Sequence, residues 1–393
     1  MLDHSIFKNI PSGKTKYEKI RLYEWACKKY GLTPCFFRLK DIDLKHKKVR
    51  AYVKTGKSYR IVTMPIPKVI HNRAMPFSRA SRRKIRLMTK MGYRIFNRST
   101  RYGKLKIYKL LKKNPELRPH LPETALATPK NIARFMAKYR SIIIKPNNSS
   151  IGIGIMKLEK TGGSWTLHYP KKRLGSHWGK IRFTRQLPAL LLKKIKSKRY
   201  LVQRTIPLAT VAGRPFDLRV SVQRDGSGEW QITGIAGKLA AKNMFLTNVA
   251  QGGRIRRLPA LLRSYPELDR ERVIANIEKL SLQVATTLGQ SIPGLADIGL
   301  DIGIDPHGMP FFIECNARDL RISFQKGRMY EQWRRAYENP VAYARYLLRP
   351  NPIQLSAHGS ALKIFTQPGI HPAWASDGSS PLDRTEQNYT GDL

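Results

Sequence analysis

The run Gly299-Leu300-Asp301-Ile302-Gly303-Ile304-Asp305-Pro306-His307-Gly308-Met309-Pro310-Phe311-Phe312-Ile313-Glu314-Cys315-Asn316 constrains the fold of this chain more than any other segment. Apolar stretches flank Asp305-Pro306-His307-Gly308, a group of turn-forming residues, so the run reads as a two-stranded hairpin. Side chains alternate faces along a strand, which puts Glu314 and Asn316 on one face. If residues near 301 pair with residues near 312, Asp301 lies diagonally across from Glu314 on that same face. Two carboxylates and an amide oxygen suit a hard cation such as Mg2+, with water and phosphate filling its other positions. From the hairpin alone, an exposed turn with two incidental acids stays open as the alternative.

A second segment points the same way. Ser141-Ile142-Ile143-Ile144-Lys145-Pro146 is a β-branched strand ending in a lysine, and Asn147-Asn148-Ser149-Ser150-Ile151-Gly152-Ile153-Gly154 follows it. Backbone amides of a Ser/Gly turn can wrap phosphate oxygens, and the lysine adds a point charge. No GxxxxGK[ST] occurs in the chain, so this is not a Walker loop. The strand-like Ile155-Met156-Lys157-Leu158 after it excludes a Rossmann fingerprint, which opens a helix.

Next come Tyr200-Leu201-Val202-Gln203-Arg204-Thr205-Ile206, Phe216-Asp217-Leu218-Arg219-Val220, Thr247-Asn248, Gly252-Gly253 and then the acidic hairpin. This order resembles the ATP-grasp superfamily, and within it the YheC/YheD type described as endospore coat-associated, over roughly residues 60 to 330. The resemblance implies an α/β protein made of α+β lobes. An N-terminal α/β pre-ATP-grasp lobe would span 1–123, and a small lobe with the Lys-Pro strand and Ser/Gly loop 124–206. A large lobe with the metal hairpin would span 207–350, leaving an irregular tail over 351–393.

The resemblance also implies roles. Lys145 would hold the α/β-phosphates of ATP, and the backbone of Ser149, Ser150, Gly152 and Gly154 would cover them. Lys104, in Tyr102-Gly103-Lys104-Leu105, resembles an earlier phosphate lysine. Gln203, Arg204, Thr205 and Ile206 would form the hinge strand that binds adenine through main-chain groups. Asp301, Glu314 and Asn316 would hold Mg2+, and Arg219 and Lys238 would contact the γ-phosphate or an acylphosphate. Asp217 and Arg219 could instead form an ion pair that only orients two strands. Three features depart from the family pattern: Ser149 stands where Gly is usual, Ile151 and Ile153 where polar residues are usual, and Ala317-Arg318-Asp319-Leu320 lacks a Pro-Gly. The implied activity is an ATP- and Mg-dependent carboxylate-amine, or other carboxylate-nucleophile, ligase acting through an acylphosphate.

Composition bounds the partners. With 393 residues, 41% of them hydrophobic, the chain can bury a core and divide into two or three subdomains. Cys27, Cys35 and Cys315 show no CxxC spacing, which fits a reducing compartment, and Cys315 alternates away from the metal face as a core thiol would. The chain shows neither a leader-like start nor an apolar run near ~18 residues, so the expectation is a soluble cytoplasmic protein, with spore-coat association implied by the resemblance.

The net charge of +48, from 74 basic and 26 acidic residues, exceeds what solubility needs and calls for an acidic partner. Basic clusters stand at Lys45-His46-Lys47-Lys48, Arg82-Arg83-Lys84, Lys171-Lys172-Arg173 and Arg254-Ile255-Arg256-Arg257. A polymeric or otherwise acidic substrate is one reading. The alternative is a polyanion-binding coat protein that keeps the fold with little turnover, its partner a cell-wall or coat polymer. Nucleic acid is the weaker candidate, since no helix-turn-helix, zinc spacing or RNP-type aromatic motif occurs.

Local patterns place the remaining elements. Tyr17 to Tyr30 reads as an amphipathic helix, Pro34 to Phe37, Val49 to Val53 and Ile61 to Met64 as strands, and Thr128-Pro129 as the start of a short helix. Trp165, Leu167 and Tyr169 alternate as a strand, and Leu187 to Lys196 reads as a helix. Asp269 to Leu288 is the clearest helix, with Gly289 at its end.

Overall fold

Alternation of apolar residues with short or polar ones decides which segments of this chain pair as strands. The computed structural model describes residues 1–75, 78–149, 152–171 and 178–349, and the first 349 residues group into one unit. Near the N-terminus β1 (Ile42–Asp43), β2 (Lys48–Thr55) and β3 (Ser58–Pro65) form an antiparallel sheet. Strands β4 (Val69–His71) and β5 (Arg94–Phe96) run parallel, and the Arg79–Lys90 helix lies between them in the chain.

Two larger sheets hold the site. The first is built from β6 (Thr124–Leu126), β7 (Ser141–Pro146), β8 (Met156–Thr161), β9 (Ser164–Pro170), β10 (Trp178–Phe183) and β11 (Tyr200–Arg204), in the order β10-β9-β8-β7-β11-β6. The second contains β12 (Thr210–Val211), β13 (Arg214–Arg224), β14 (Trp230–Leu239), β15 (Arg254–Arg257), β16 (Asp297–Ile304) and β17 (Pro310–Asn316), with a spine ordered β15-β14-β13-β16-β17. Both are antiparallel throughout.

Strand β16 shows how the second sheet separates core from site. Ile298, Leu300, Ile302 and Ile304 are fully buried and pack with Leu218, Val220 and Val222 of β13 against Ile277, Leu280 and Val284 of the Arg270–Ser291 helix. Each such burial stabilises by about 1.5–3 kcal/mol. The other face carries Asp297, Gly299, Asp301 and Gly303, so one strand supplies a hydrophobic floor and a polar working surface.

Most expected elements form, and two readings need correction. Thr128 caps the Pro129–Lys138 helix by accepting from Asn131 N–H, and Asp269 caps the long helix by accepting from Arg272 N–H. Pro34 to Phe37 is not a strand, because only Phe36 bridges to Tyr52. Gly289 does not end its helix, which continues to Ser291. A Cβ there would stand 3.1 Å from Trp230 Nε1, so this glycine admits an indole ring instead of turning the chain. The basic Arg254 to Arg257 run forms edge strand β15, with Ile255 buried and three arginines exposed, a pattern that blocks edge-to-edge pairing.

Candidate active site

The acidic hairpin forms, in a register different from the expected one. Asp305 accepts from the N–H groups of His307 and Met309, and Gly308 takes φ +79° to close the turn. Asp301 pairs directly with Glu314, while Ile302 pairs with Phe312, so Ile313 is an extra residue in β17. This bulge turns the expected diagonal pair into a directly opposed one. It also frees the Ile313 carbonyl, which accepts from Lys145 Nζ at 3.4 Å.

Neighbouring strands surround the carboxylates with cations. Arg219 is opposite Asp301 in the ladder, and its Nε lies 3.0 Å from Asp301 Oδ1. Lys238 Nζ lies 3.1 Å from the same oxygen and 3.2 Å from Asp217 Oδ1. Lys104, at the start of the Lys104–Leu111 helix, reaches Glu314 Oε2 at 2.7 Å and the Ser149 carbonyl at 3.0 Å. Asn316 donates from Nδ2 to Glu314 Oε1 at 3.3 Å. Arg219 thus bonds to Asp301 and Asp319, not to Asp217, whose partner is Lys238.

The paired carboxylates titrate in opposite directions. Burial is the largest influence on Asp301 and, with Glu314 beside it, holds its carboxyl above the usual range despite Arg219 and Lys238. Burial is again the largest influence and works to raise Glu314, but Lys104, Lys145 and Lys238 together outweigh it and keep this carboxyl well below the usual range. Among the described residues no cluster of three or more His, Cys, Asp or Glu could hold a metal ion. Two carboxylates with an amide and phosphate oxygens remain a sufficient donor set for Mg2+.

The first sheet contributes the opposite wall. Lys145 is buried at the end of β7 and donates to Gln203 Oε1 at 2.7 Å, and Gln203 Nε2 donates to Thr124 Oγ1 at 2.7 Å. Burial first, and then Lys104, lowers the Lys145 ammonium to about 8. The hinge reading narrows: Arg204 N–H donates to Glu123 O and Thr205 N–H to Ser141 O, because β11 is an interior strand. Ile206, just past the strand, keeps its N–H outside these ladders. The slot between β11 and β17, lined by Tyr108, Leu201, Gln203, Phe312 and Cys315, holds only about 20 Å³.

The Ser/Gly loop joins β7 to β8 and approaches the second sheet. Ser149 Oγ donates to the Ile153 carbonyl at 2.6 Å. Gly152 has φ +73°, a conformation that side-chain-bearing residues rarely adopt, and a Cβ there would also displace the end of the Gln251 side chain, 2.6 Å away. Gly154 has φ +77° and lies against Pro146 and Tyr200. Ser150, Ile151 and the Lys172-Arg173 part of a basic cluster lie outside the described residues, as does the tail from 350.

Several residues that the sequence reading passed over hold this site. Arg219 Nη1 lies 3.6 Å from Asp319 Oδ1, and Ser221 donates to the same carboxylate. Behind them Asp297 Oδ2 meets Arg321 at 2.7 Å and Arg73 at 3.2 Å, and Arg73 also pairs with Glu18 at 2.7 Å. Arg318, in the segment without Pro-Gly, binds Asp3 at 2.5 Å and Tyr17 Oη at 2.6 Å. The network ties the end of β17 to the N-terminal region. Its members are far apart in sequence, so local patterns carry no sign of it.

Lys145 on one antiparallel sheet and Lys104 on an adjoining helix, set near carboxylates of a second sheet that line a cleft of about 430 Å³, make the arrangement of an ATP-grasp protein. The chain belongs to the YheC/D like ATP-grasp family, whose model matches residues 92–347, starting and ending later than the motif order implied. It is 28% identical over 305 residues to the endospore coat-associated protein YheD of Bacillus subtilis (strain 168), covering 75% of this chain and 66% of that protein. The endospore coat-associated protein YheC of the same strain is 23% identical over 241 residues, covering 60% of this chain and 65% of YheC. The chain thus spans slightly under two thirds of each relative. Among solved structures, the ATP-grasp ligase PsnB, in complex with a phosphomimetic variant of its minimal precursor, Mg and ADP, aligns with a TM-score of 0.49 and 15% identity, covering 85% of this chain and 95% of PsnB. No helix among the described residues is long and apolar enough to cross a membrane.

Proposed function

We propose that this protein is a ligase that uses Mg-ATP to convert a carboxylate into its acylphosphate and passes the acyl group to an amine or another nucleophile. One observation carries the reading: Asp301, Glu314 and Asn316 face Lys104, Arg219 and Lys238 in one cleft. Asp301 Oδ1 is buried and lacks a well-aligned hydrogen bond, although two cations lie near 3 Å. Such an oxygen fits a divalent cation, and Asp301, Glu314 and Asn316 would hold it. When bound, Mg2+ would neutralise charge on the phosphate oxygens.

The chain's own groups supply positioning and charge. Lys104 and Lys145 would take the α/β-phosphates, and the backbone of the Ser149 to Gly154 loop would cover them. Arg219 and Lys238 would stabilise the transferring phosphoryl group as a carboxylate oxygen attacks the γ-phosphorus and ADP departs. The nucleophile then attacks the acyl carbon and phosphate leaves. Adenine would enter the slot beside β11, with Ile206 N–H as a donor, and the slot must widen to admit it. Association with the endospore coat is proposed from the relatives alone.

The test is ADP and phosphate release from Mg-ATP across a panel of carboxylates and amines. Release that needs both a particular acid and a nucleophile supports the ligase. Mg-ATP binding with no release in any combination would favour the polyanion-binding coat protein.

A further inference from the structure

The Arg79–Lys90 helix presents a basic stripe that the nucleotide site does not use. Its buried residues are Ile85 and Met88. At 3.6 residues per turn, Arg79, Arg82, Arg83, Arg86 and Lys90 fall within about 100° of arc on the opposite side, and all five are exposed. Arg79, Arg83, Arg86 and Lys90 make no ion pair among the described residues. Like charges at three- and four-residue spacing destabilise a helix, so Arg79, Arg83, Arg86 and Lys90 carry a cost that no ion pair among the described residues offsets.

The stripe leads to the site. A cleft of about 320 Å³ is lined by Arg82, Ser99, Arg101, Tyr102 and Asn148. Arg101, Tyr102 and Asn148 also line the neighbouring cleft that holds Asp301 and Glu314. A chain lying along the helix therefore has a continuous route, past Arg101 and Tyr102, to the phosphoryl-transfer residues.

We propose that the acceptor is an acidic polypeptide: one carboxylate reacts at the cleft while flanking Asp or Glu side chains lie along Arg79, Arg83, Arg86 and Lys90. The proposal rests on the ligase reading, which requires the reacting group to be a carboxylate. Arg79, Arg83, Arg86 and Lys90 follow one another about 4.5–6 Å apart along the axis at 1.5 Å per residue, near the ~6.6 Å between same-side groups of an extended chain. The stripe carries no aromatic side chain, whereas single-stranded nucleic acid is held by aromatic stacking as well as charge.

The experiment uses the full chain and a fluorescent poly-L-glutamate of about 20 residues as probe, with a single-stranded oligonucleotide of equal charge for comparison. One variant neutralises the stripe (Arg79→Gln, Arg83→Gln, Arg86→Gln, Lys90→Gln). A control removes equal charge from exposed lysines that line none of these clefts (Lys193→Gln, Lys194→Gln, Lys196→Gln, Lys198→Gln). The stripe variant should bind polyglutamate at least tenfold more weakly than the parent, the control less than threefold, with Mg-ATP affinity unchanged in both. Equal losses in the two variants would overturn the proposal, since the net charge alone would then explain binding. So would an oligonucleotide that binds tenfold more tightly than polyglutamate and depends equally on the stripe. Because binding is read without turnover, failure here leaves the ligase reading intact, and absent ADP release leaves this result standing.

Discussion

Lys104 Nζ lies 2.7 Å from Glu314 Oε2, so the lysine proposed for phosphate is paired with the carboxylate proposed for metal. Each neutralises the other, and on the proposed ligase reading Mg-ATP would exchange both partners for new ones. Lys104, Arg219 and Lys238 offset the charge of the two facing carboxylates unequally: Glu314 is held low, while burial and Glu314 still hold Asp301 above its usual range. Removing the Glu314 charge should therefore lower the melting temperature of the free protein at neutral pH, whereas removing the Asp301 charge, whose carboxyl is held above the usual range, should keep or raise it.

Replacing Lys104 separates the two roles. In Lys104→Ala, Glu314 loses the cation that competes with metal, so Mg2+ alone should bind several-fold more tightly by calorimetry. Mg-ATP should bind more weakly, since a phosphate contact is gone. A change of the same sign for both ligands would contradict the exchange.

Lys145 acts from the other sheet. Lys145→Ala removes a buried positive charge that also bonds Gln203, and ATP affinity should fall at least tenfold, about 1.4 kcal/mol. Unchanged affinity in a folded variant would remove Lys145 from the phosphate site.

Much of this site was legible because its residues lie in short runs with strand periodicity. Lys145 at a strand end, and Asp301 and Glu314 around a turn, follow from alternation alone. The bulge at Ile313 was not legible, since an extra residue leaves no local trace in Phe311-Phe312-Ile313-Glu314. Asp297, Asp319, Arg73 and Glu18 were missed because each pairs with residues distant in sequence. Gly289 misled because a glycine late in a helical pattern usually ends it, and here packing against Trp230 wins.

Gly299 tests the supporting network. A Cβ there would stand 2.6 Å from Arg219 Nη1 and 2.9 Å from Asp319 Cγ. Gly299→Ala should destabilise by about 1–3 kcal/mol and push Arg219 off Asp301. Denaturant unfolding and ATP-dependent turnover should fall together, and a variant indistinguishable in both would show that the contact is slack.

His71 predicts a pH dependence. Burial, opposed by Asp297 at 3.3 Å, lowers its imidazole from 6.5 to about 4. The unfolded chain binds this proton first as pH falls, so the stabilisation is complete above pH 6.5 and is lost progressively toward pH 4. The loss is on the order of 3 kcal/mol over that window. His71→Gln should flatten the stability profile between pH 6.5 and 4, and an unaltered slope would assign the loss to other groups.

The central claim is that Asp301 and Glu314 hold Mg-ATP, and thermal unfolding of the parent, Asp301→Asn and Glu314→Gln with and without Mg-ATP tests it most directly. At nucleotide one hundred times its Kd the parent should gain about 2.7 kcal/mol. Each variant should lose most of that gain while unfolding as one cooperative transition. If both variants keep the full Mg-ATP stabilisation, the hairpin is not the metal site and the account fails.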